Sequence, residues 1–506
     1  MNPIIPFASN VLMPLFPMIL ISITTVVVMI AIAMKRSNFV AGTISVIGLN
    51  AALFVVLIQL LGGNPDSMLH GLYELFTPSQ GLIAPLFVVD SFAQFNMVII
   101  LISSLACFTL AYGYIEGYGD NKEELYLLML ISTLGALFMV CADNLASFFV
   151  SLELLSVPLY GMLAYTYARG KSLEAGFKYL ILSATASATM LMGMALIYSN
   201  TGTLSFRQIG MAIVPMFQNG IVMPILVVGT ALMLFGIAFK LSAVPFHTWT
   251  PDVYQGAPAP VATFLGSVSK VAMMALGLRF LLSTATLALP AINTLIVVIA
   301  SLSMIIGNVL ALRQHNIKRL LAYSSIAHIG YVLAIISAVK VESAGFVSLY
   351  MAVYAFTTIG AFGVVTIMSS PYKRQGEAEL VENFQGIFWQ RPVLTAVLTV
   401  MLLSLAGIPL TAGFISKFFA IFATVSAQSW WLTAMIIVGS AISLYYYLNL
   451  MVTLFRRPQE VQPHDAVNHW GIQAGGIMVL LVTLAVLYFG IFPETLSKII
   501  TLVRIY

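Results

Sequence analysis

Charged residues are scarce in this 506-residue chain: only 8% are Asp, Glu, Lys or Arg, whereas 60% are hydrophobic. A soluble protein needs about 25% charged residues to cover its surface. With a mean hydropathy of +1.01, the composition predicts a polytopic membrane protein without a soluble domain. The formal net charge of +4 gives no reason to expect a nucleic-acid partner.

Cysteine and cofactor motifs are equally scarce. The two cysteines, Cys107 and Cys141, fall in or beside apolar stretches, so we expect small core residues and not a disulfide or a metal site. The chain has no CxxC, no glycine-rich nucleotide loop in a strand context, and no His/Glu cluster with metal-ligand spacing. We therefore expect this chain to bind no metal and no cofactor, so that any linked redox chemistry occurs elsewhere.

Apolar stretches of about 20 residues predict an all-α architecture of fourteen transmembrane helices. The predicted helices cover residues 11–34, 39–62, 91–113, 125–141, 144–167, 174–199, 221–251, 260–284, 289–312, 317–339, 345–369, 393–425, 430–454 and 471–492. The first is too long for the apolar core of a signal peptide, so we expect it to be retained. Helices 7 and 12 are too long for one unbroken crossing, and each has a proline near its middle, which predicts that both are broken.

The basic residues predict the orientation of these helices. Thirteen Lys and Arg residues fall in loops on the face where helix 1 ends, and four fall on the face where helix 1 begins. We call these the basic face and the amino-terminal face. The positive-inside rule places the basic face in the cytoplasm, with both termini on the outer side.

A faint internal repeat surrounds the two predicted breaks. The sequence reads SAVPF at 242–246 and AGIPL at 406–410, and five helices separate the two positions, which gives them opposite orientations. This is typical of inverted-topology repeats. Within a single membrane domain, 1–506, we predict helices 1–3 in 1–113, a first repeat of helices 4–8 in 125–284, a second of helices 9–13 in 289–454, and a last helix at 471–492.

The stretch 239–260, FKLSAVPFHTWTPDVYQGAPAP, concentrates residues that apolar spans exclude, among them Lys240 and Pro245. A charge at the bilayer centre costs roughly 2.5–3.5 kcal/mol or more, and irregular backbone at that depth survives only against protein or water. A lysine beside a broken helix is typical of a proton site. Lys240 is therefore the first candidate proton carrier; the alternative is an amine that reaches the cytoplasmic surface without a role.

Glu153 is the only carboxylate well inside a predicted span. We expect it to pair with a lysine, and Lys178 on the next helix is the expected partner. A Glu–Lys pair whose charge separation depends on a further lysine acts as a switch, because the proton on one group biases the next. The alternative for Lys178, near a helix end, is an amine that extends to the surface.

Further candidates lie in the later helices. Lys270 and Lys417 are buried by prediction and have no obvious carboxylate partner, so we interpret them as relay lysines; structural roles are the alternative. His247 and His328 titrate near neutral pH and are predicted to bridge between lysines, with hydrogen-bonded packing as the alternative. Arg279, near the outer end of helix 8, is predicted to be a surface anchor.

Three motifs resemble the antiporter-like subunits of respiratory complex I. They are PFHTWTPDVYQGAPAPV (245–261), HNIKRLLAYSSIAHIGY (315–331) and LAGIPLTAGFISKFF (405–419), and the similarity extends nearly end to end. The resemblance implies a fourteen-helix, proton-translocating module in the membrane arm, driven by quinone reduction in a distant part of a translocase in the bacterial inner membrane.

Carried over by position, the family pattern implies roles for the same side chains. Glu153 and Lys178 match the pair of helices 5 and 6, Lys240 the broken-helix lysine, Lys270 the central lysine and Lys417 the exit-side lysine. One departure from internal symmetry is that helix 10 offers His328 where helix 5 offers Glu153. The second half-channel therefore lacks a carboxylate of its own.

The resemblance also implies partners. NADH, flavin, iron–sulfur clusters and quinone are expected in other subunits, and the expected partners are the lipid bilayer and the other membrane-arm subunits, above all the neighbouring antiporter-like and small ones. Two alternatives remain open: a subunit of a multi-subunit cation/proton antiporter, and a non-pumping structural subunit of the membrane arm.

Overall fold

The chain folds almost entirely into helices. The computed structural model describes residues 12–62, 71, 73, 82–83, 86–116, 121–167, 169–218, 224–339, 343–369, 377–457 and 469–505. Its helices are α1 (Phe16–Met34), α2 (Asn38–Leu61), α3 (Ser91–Ile115), α4 (Glu124–Cys141), α5 (Leu145–Leu163), α6 (Gly170–Thr201), α7 (Phe206–Gln218), α8 (Pro224–Leu241), α9 (Trp249–Gly256), α10 (Ala259–Ser283), α11 (Pro290–Ala311), α12 (Ile317–Val339), α13 (Ser343–Met368), α14 (Pro392–Ala406), α15 (Ala412–Ser426), α16 (Trp430–Phe455), α17 (Ala474–Ile491) and α18 (Pro493–Leu502).

The predicted membrane architecture is confirmed. Among the described residues, 13 helices are long and apolar enough to cross a membrane, and the two shorter apolar helices α14 and α15 account for the predicted helix 12. Both predicted breaks are present, between α8 and α9 and between α14 and α15. Three of the basic residues used for the orientation, Lys340, Lys373 and Arg374, lie outside the described residues.

Four of the described elements, two helices and two strands, were not predicted. Two short helices, α7 and α18, follow α6 and α17, and the antiparallel strands β1 (Leu82–Ile83) and β2 (Phe87–Val88) precede α3. A two-residue strand is too short to give a periodic signal. The short α7 and α18 were missed because neither is long enough to span a bilayer.

Side-chain caps fix where several helices begin. Asp90 accepts a hydrogen bond from the Ala93 N–H at 2.8 Å at the start of α3, and Asn144 accepts one from the Ala146 N–H at 2.8 Å at the start of α5. Such caps satisfy backbone donors that have no partner within the helix. Helices α6 and α14 end instead at left-handed glycines, Gly202 (φ 69°) and Gly407 (φ 82°), where glycine carries no Cβ penalty.

The helices α10, α12 and α13 form the centre of the bundle. Their most apolar segments are 100%, 94% and 89% buried, compared with 28% for α1 and for α17. A helix that is buried on all sides does not contact lipid. Any polar side chain on these three central helices must therefore find its partner inside the protein.

Equivalent helices pack together in the two halves of the chain. In the first half, α4 packs on α5 and α6 on α8; in the second, α11 packs on α12 and α13 on α14 and α15. This pairing is what two inverted repeats would give. The division of the chain at 125–284 and 289–454 stays a prediction.

Candidate functional site

The break between α8 and α9 opens the centre of the first half. Ser242 adopts a left-handed backbone (φ 67°), directly after α8 ends at Leu241. The Val244 N–H, which has left the helix, donates to the Ser303 hydroxyl of α11 at 2.9 Å. The second half thus holds the broken end of the first in place.

Lys240 lies one residue before this break and is 5% exposed. Its amine donates to the hydroxyls of Ser156 and Ser183, both at 2.7 Å, and lies 5.8 Å from the centre of the Tyr179 ring. The alternative of an amine extended to the surface does not fit these contacts. All described acceptors of this amine are neutral oxygens.

Glu153 is linked to Lys240 through two helices without a direct ion pair. Its carboxylate accepts a hydrogen bond from Ser187 at 2.6 Å. Glu153 and Ser156 lie one turn apart on α5, and Ser183 and Ser187 lie one turn apart on α6, so each pair faces the same way. The carboxylate is therefore about one helical turn, roughly 5 Å, from the amine along the bundle.

The predicted pairing of Glu153 with Lys178 is wrong. Lys178 contacts Glu174 at 2.6 Å and Asp252 at 3.1 Å, and Asp252 also pairs with Arg319 at 2.6 Å. Lys178 precedes Ser187, the partner of Glu153, by nine residues on α6, which is about 13 Å along the axis. Its amine belongs to a half-exposed ionic cluster at the basic face.

Lys270 occupies the middle of the central helix α10 and is 1% exposed. It follows a π-helical segment, Leu265–Ser269, a local distortion that often marks functional sites. Its amine donates to the Ser325 hydroxyl at 2.7 Å and to the Leu241 carbonyl at 3.2 Å. That carbonyl is available because α8 ends there.

Lys417 repeats this arrangement at the second break. It is 5% exposed, its amine donates to the Ala406 carbonyl, where α14 ends, at 2.9 Å, and it lies 5.4 Å from the centre of the Tyr331 ring. An added Cβ on Gly407 would lie 2.6 Å from the Lys417 Cδ. A larger residue at position 407 would therefore push the Lys417 side chain away from its present position.

One face of α12 contacts both Lys270 and Lys417. Ser325 binds Lys270, Tyr331 lies under Lys417, and His328 is midway between them, one turn from each. The His328 Nδ1 lies 2.8 Å from the Tyr350 hydroxyl, and its ring also packs on Tyr354 with centroids 5.4 Å apart. The structure thus brings Lys270, His328 and Lys417 together along one helix.

His247 lies apart from this line. It occupies the segment between α8 and α9, is half-buried, and its buried Nδ1 has no hydrogen-bond partner among the described residues. Its described contacts include neither Lys240 nor Lys270. A bridging role for His247 stays a prediction.

An ionic network at the basic face was missed from the sequence. The loop residue Glu377 pairs with Arg169 at 2.5 Å and with Lys318 at 3.1 Å, and Lys318 and Glu377 are both 0% exposed. Glu379 in the same loop pairs with Arg169 at 2.8 Å. Burial alone would raise the pKa of Glu379, but the charges of Lys318, Lys171 and Arg169 outweigh it and hold that pKa below its usual range. This network ties the start of α6, α12 and the loop together.

Arg279 is not the surface anchor that we expected. It is 0% exposed, and its guanidinium binds both oxygens of Asp90, at 2.9 and 2.6 Å. The sequence contained one indication of this pair: Asp90 directly precedes α3 on the amino-terminal face, which is the face where α10 ends. A buried bidentate pair satisfies both charges.

No metal site is evident: among the described residues no group of three or more His, Cys, Asp or Glu side chains could hold a metal ion. The groups that the site does supply are amines, a carboxylate, an imidazole and hydroxyls, all of which can carry or pass protons. Buried amines on broken helices, linked along a central helix, define a membrane subunit of the proton-antiporter type. Comparisons with known proteins agree with this class.

A sequence profile of the family described as NADH:quinone oxidoreductase/Mrp antiporter, TM, matches residues 142–443, a range that includes all seven candidate residues. The NADH-quinone oxidoreductase subunit N of Psychrobacter arcticus is 58% identical over 495 residues, which cover 98% of either chain. That of Acinetobacter baumannii is 50% identical over 499 residues, 99% of this chain and 96% of that protein. The chain belongs to the family of NADH-quinone oxidoreductase subunit N.

Solved structures share the fold over nearly the whole chain. A chain of respiratory complex I from Thermus thermophilus with bound aureothin has a TM-score of 0.77 and 29% identity, and the match spans 94% of the present chain and 97% of the complex I chain. A chain of the Mrp complex from Dietzia sp. DQ12-45-1b has a TM-score of 0.81, and the match spans 98% of the present chain and 97% of the Mrp chain. At 19% identity, the second likeness concerns the fold alone.

Proposed function

We propose that this chain translocates protons in the membrane arm of NADH-quinone oxidoreductase, driven by quinone reduction in other subunits. The observation that carries this proposal is that Lys240, Lys270 and Lys417 are buried, and all their described acceptors are neutral oxygens. Burial without a counter-charge disfavours the protonated amine. An amine in such a place can release its proton at moderate cost, as a carrier must.

The proton path follows the contacts. Protons are taken up from the cytoplasm, on the basic face, and reach Lys240. They pass to Lys270, along the Ser325–His328–Tyr331 face of α12, and through Lys417 to the outer side. Hydroxyls and imidazole pass protons between amines, with water in the gaps.

Glu153 is proposed to act on Lys240 through charge. At about one helical turn the carboxylate favours the protonated amine, and the effect grows in a low-dielectric interior. Lys178, held by Glu174 and Asp252, and His247 at the break are proposed to serve the uptake side. The second half has His328 in place of a carboxylate, so its proton transfer steps are not a copy of the first.

The surroundings of the chain are part of the proposal. We infer a bacterial inner-membrane location with both termini on the periplasmic side, on the basis of the basic-residue bias. Other membrane-arm subunits are the proposed partners, and NADH, flavin, iron–sulfur clusters and quinone belong to other subunits. The relatives' names and the likeness to a chain of complex I support this assembly.

Replacement of Lys270 by methionine tests the function. Methionine keeps the volume of the side chain but removes the proton site. In inverted membrane vesicles, we expect Lys270→Met to abolish most NADH-driven acidification and to slow quinone reduction with it, because the two are coupled. Lys498→Met, an exposed lysine on α18, is the matched control and should leave both rates unchanged.

Two outcomes would contradict the proposal. A passive structural subunit would keep full acidification in Lys270→Met with normal assembly of the complex. A cation/proton antiporter would instead exchange protons for sodium, so that an imposed sodium gradient would drive proton movement across the vesicle membrane without quinone reduction. The amount of assembled complex must be measured in each case, so that loss of transport is not mistaken for loss of protein.

A further inference from the structure

A cavity of about 560 Å³ opens at the amino-terminal face, away from the proposed proton path. It lies where the turn between α4 and α5 meets the turn between α6 and α7. Its walls include Asp143, Arg207 and Tyr198. None of these residues takes part in the proposed transport.

The two turns are fixed side by side by backbone hydrogen bonds. The Leu145 N–H donates to the Leu204 carbonyl at 2.8 Å, and the Phe206 N–H donates to the Asp143 carbonyl at 3.0 Å. Below them, the ring of Phe206 packs on Phe280 with centroids 5.4 Å apart. The two turns that line the cavity are therefore held together by backbone hydrogen bonds and rest on packed aromatic side chains.

The cavity carries one charge of each sign. Asp143 is half-buried and Arg207 is exposed, and neither side chain has a hydrogen-bond or ion-pair partner among the described residues. Burial raises the pKa of Asp143, and the positive charges of Arg279 and Arg207 oppose that shift. A half-buried carboxylate without a partner is costly, so a ligand with an N–H donor would be stabilised there.

An apolar surface continues from the cavity along α6. Tyr198, Met192 and Leu191 are 49%, 56% and 43% exposed. Leu191 and Tyr198, seven residues apart, lie on the same side of the helix, and Met192 lies about 100° around the helix from Leu191; both Leu191 and Met192 lie towards the membrane interior from the cavity. On the other side of the opening, Met211 of α7 is 61% exposed. Tyrosine at such a level is typical of the membrane–water interface.

We propose that this cavity binds the headgroup of an aminophospholipid of the phosphatidylethanolamine class. Arg207 binds the phosphate, Asp143 accepts hydrogen bonds from the primary ammonium, and the acyl chains lie along the exposed face of α6. Two opposite charges match a zwitterionic headgroup. A phosphatidylglycerol would offer the carboxylate only neutral hydroxyl donors and no positive charge, and a phosphatidylcholine has no N–H to donate.

Photo-crosslinking in membranes tests this site in the assembled complex. The probe is a phosphatidylethanolamine with a diazirine near the middle of one acyl chain, and the labelled peptide of this chain is identified after irradiation. We expect labelling within residues 191–214, reduced by unlabelled phosphatidylethanolamine but only weakly by phosphatidylglycerol or phosphatidylcholine.

Two variants separate the two halves of the headgroup. Arg207→Gln should lower labelling by probes of both phosphatidylethanolamine and phosphatidylglycerol, because both carry the phosphate. Asp143→Asn should lower only the preference for phosphatidylethanolamine over phosphatidylglycerol. The expected loss is up to about fivefold, which corresponds to the largest contribution usual for an exposed ion pair. Arg504→Gln and Glu494→Gln, exposed on the same face, are the matched controls. Asp143→Glu should restore the preference.

Several results would overturn the proposal. Equal competition by the three lipids, or unchanged labelling in both variants, would exclude headgroup recognition. Competition by millimolar inorganic phosphate would mean a free-phosphate site. Crosslinks from this cavity to another protein subunit, in place of lipid labelling, would mean that a protein covers it. Because the cavity is remote from the proposed proton path, each result is independent of the transport experiments.

Discussion

The buried pair of Arg279 and Asp90 should dominate the stability of the amino-terminal face. Their side chains are 1% and 3% exposed, and two hydrogen bonds join them. Asp90→Asn keeps the cap on α3 but removes the only carboxylate bonded to this guanidinium among the described residues. Removal of one partner of a buried pair costs about 3–5 kcal/mol. We expect the lower end of that range, because the charge of the nearby Asp143 still acts on Arg279.

The double replacement Asp90→Asn/Arg279→Met should cost less than Asp90→Asn alone, because it leaves no unpaired charge. The free energy of unfolding can be measured by titration with SDS in mixed micelles, with helix content as the signal. Arg504→Met, an exposed arginine on the same face, is the control and should stay within about 0.5 kcal/mol of wild type. Two results would contradict this prediction: Asp90→Asn lowers the free energy of unfolding no more than the control does, or the losses measured for Asp90→Asn and Arg279→Met singly add up to the loss in the double variant. In either case the ion pair does not hold these helices together.

Three further predictions follow from the other features. Gly407→Ala should displace Lys417 and abolish proton transport while the protein is still present in the membrane. Gly202→Ala is the control, because Gly202 has a similar φ but open space around its Cβ. It should cost about 1–2 kcal/mol of backbone strain and leave proton transport intact. The pKa of Glu379 is held below its usual 4.5. Its contribution to stability should therefore be constant at neutral pH and should fade only as the pH falls below 4.5. A difference in thermal stability between wild type and Glu379→Gln that persists in strong acid would contradict this. Alkaline phosphatase fused after Tyr506 should be active in cells and a fused green fluorescent protein dark, and the reverse result would refute the inferred orientation.

The local sequence predicted the breaks and the lysines because each is costly where it stands. Pro245 cannot continue a helix, and Lys240 five residues before it is a charge that lipid would not tolerate. Both facts are visible without any partner residue. The position of Lys270 on a helix buried on all sides follows from the same reasoning.

The partners of these residues were harder to predict, because they depend on the relative axial positions of residues on neighbouring helices and on loops that are distant in the sequence. Lys178 lies about 13 Å along the helix axis from the level of Glu153, and helix bounds known only to a few residues do not fix such relative positions. Glu377 reaches Lys318 from a loop nearly sixty positions away, and no period in the sequence connects them. The π-helical segment before Lys270 likewise left no sign in the hydrophobic pattern.

Lys270 and Lys417 each take an oxygen from the peptide chain itself, at Leu241 and Ala406. Every amino acid placed at those two positions would still offer the same atom. A systematic scan of side-chain replacements therefore does not test this part of the proposed proton path, and variants at 241 and 406 that behave like wild type would not contradict it. Exchange of the single amide for an ester, which weakens the acceptor without altering any side chain, is the substitution that reaches it.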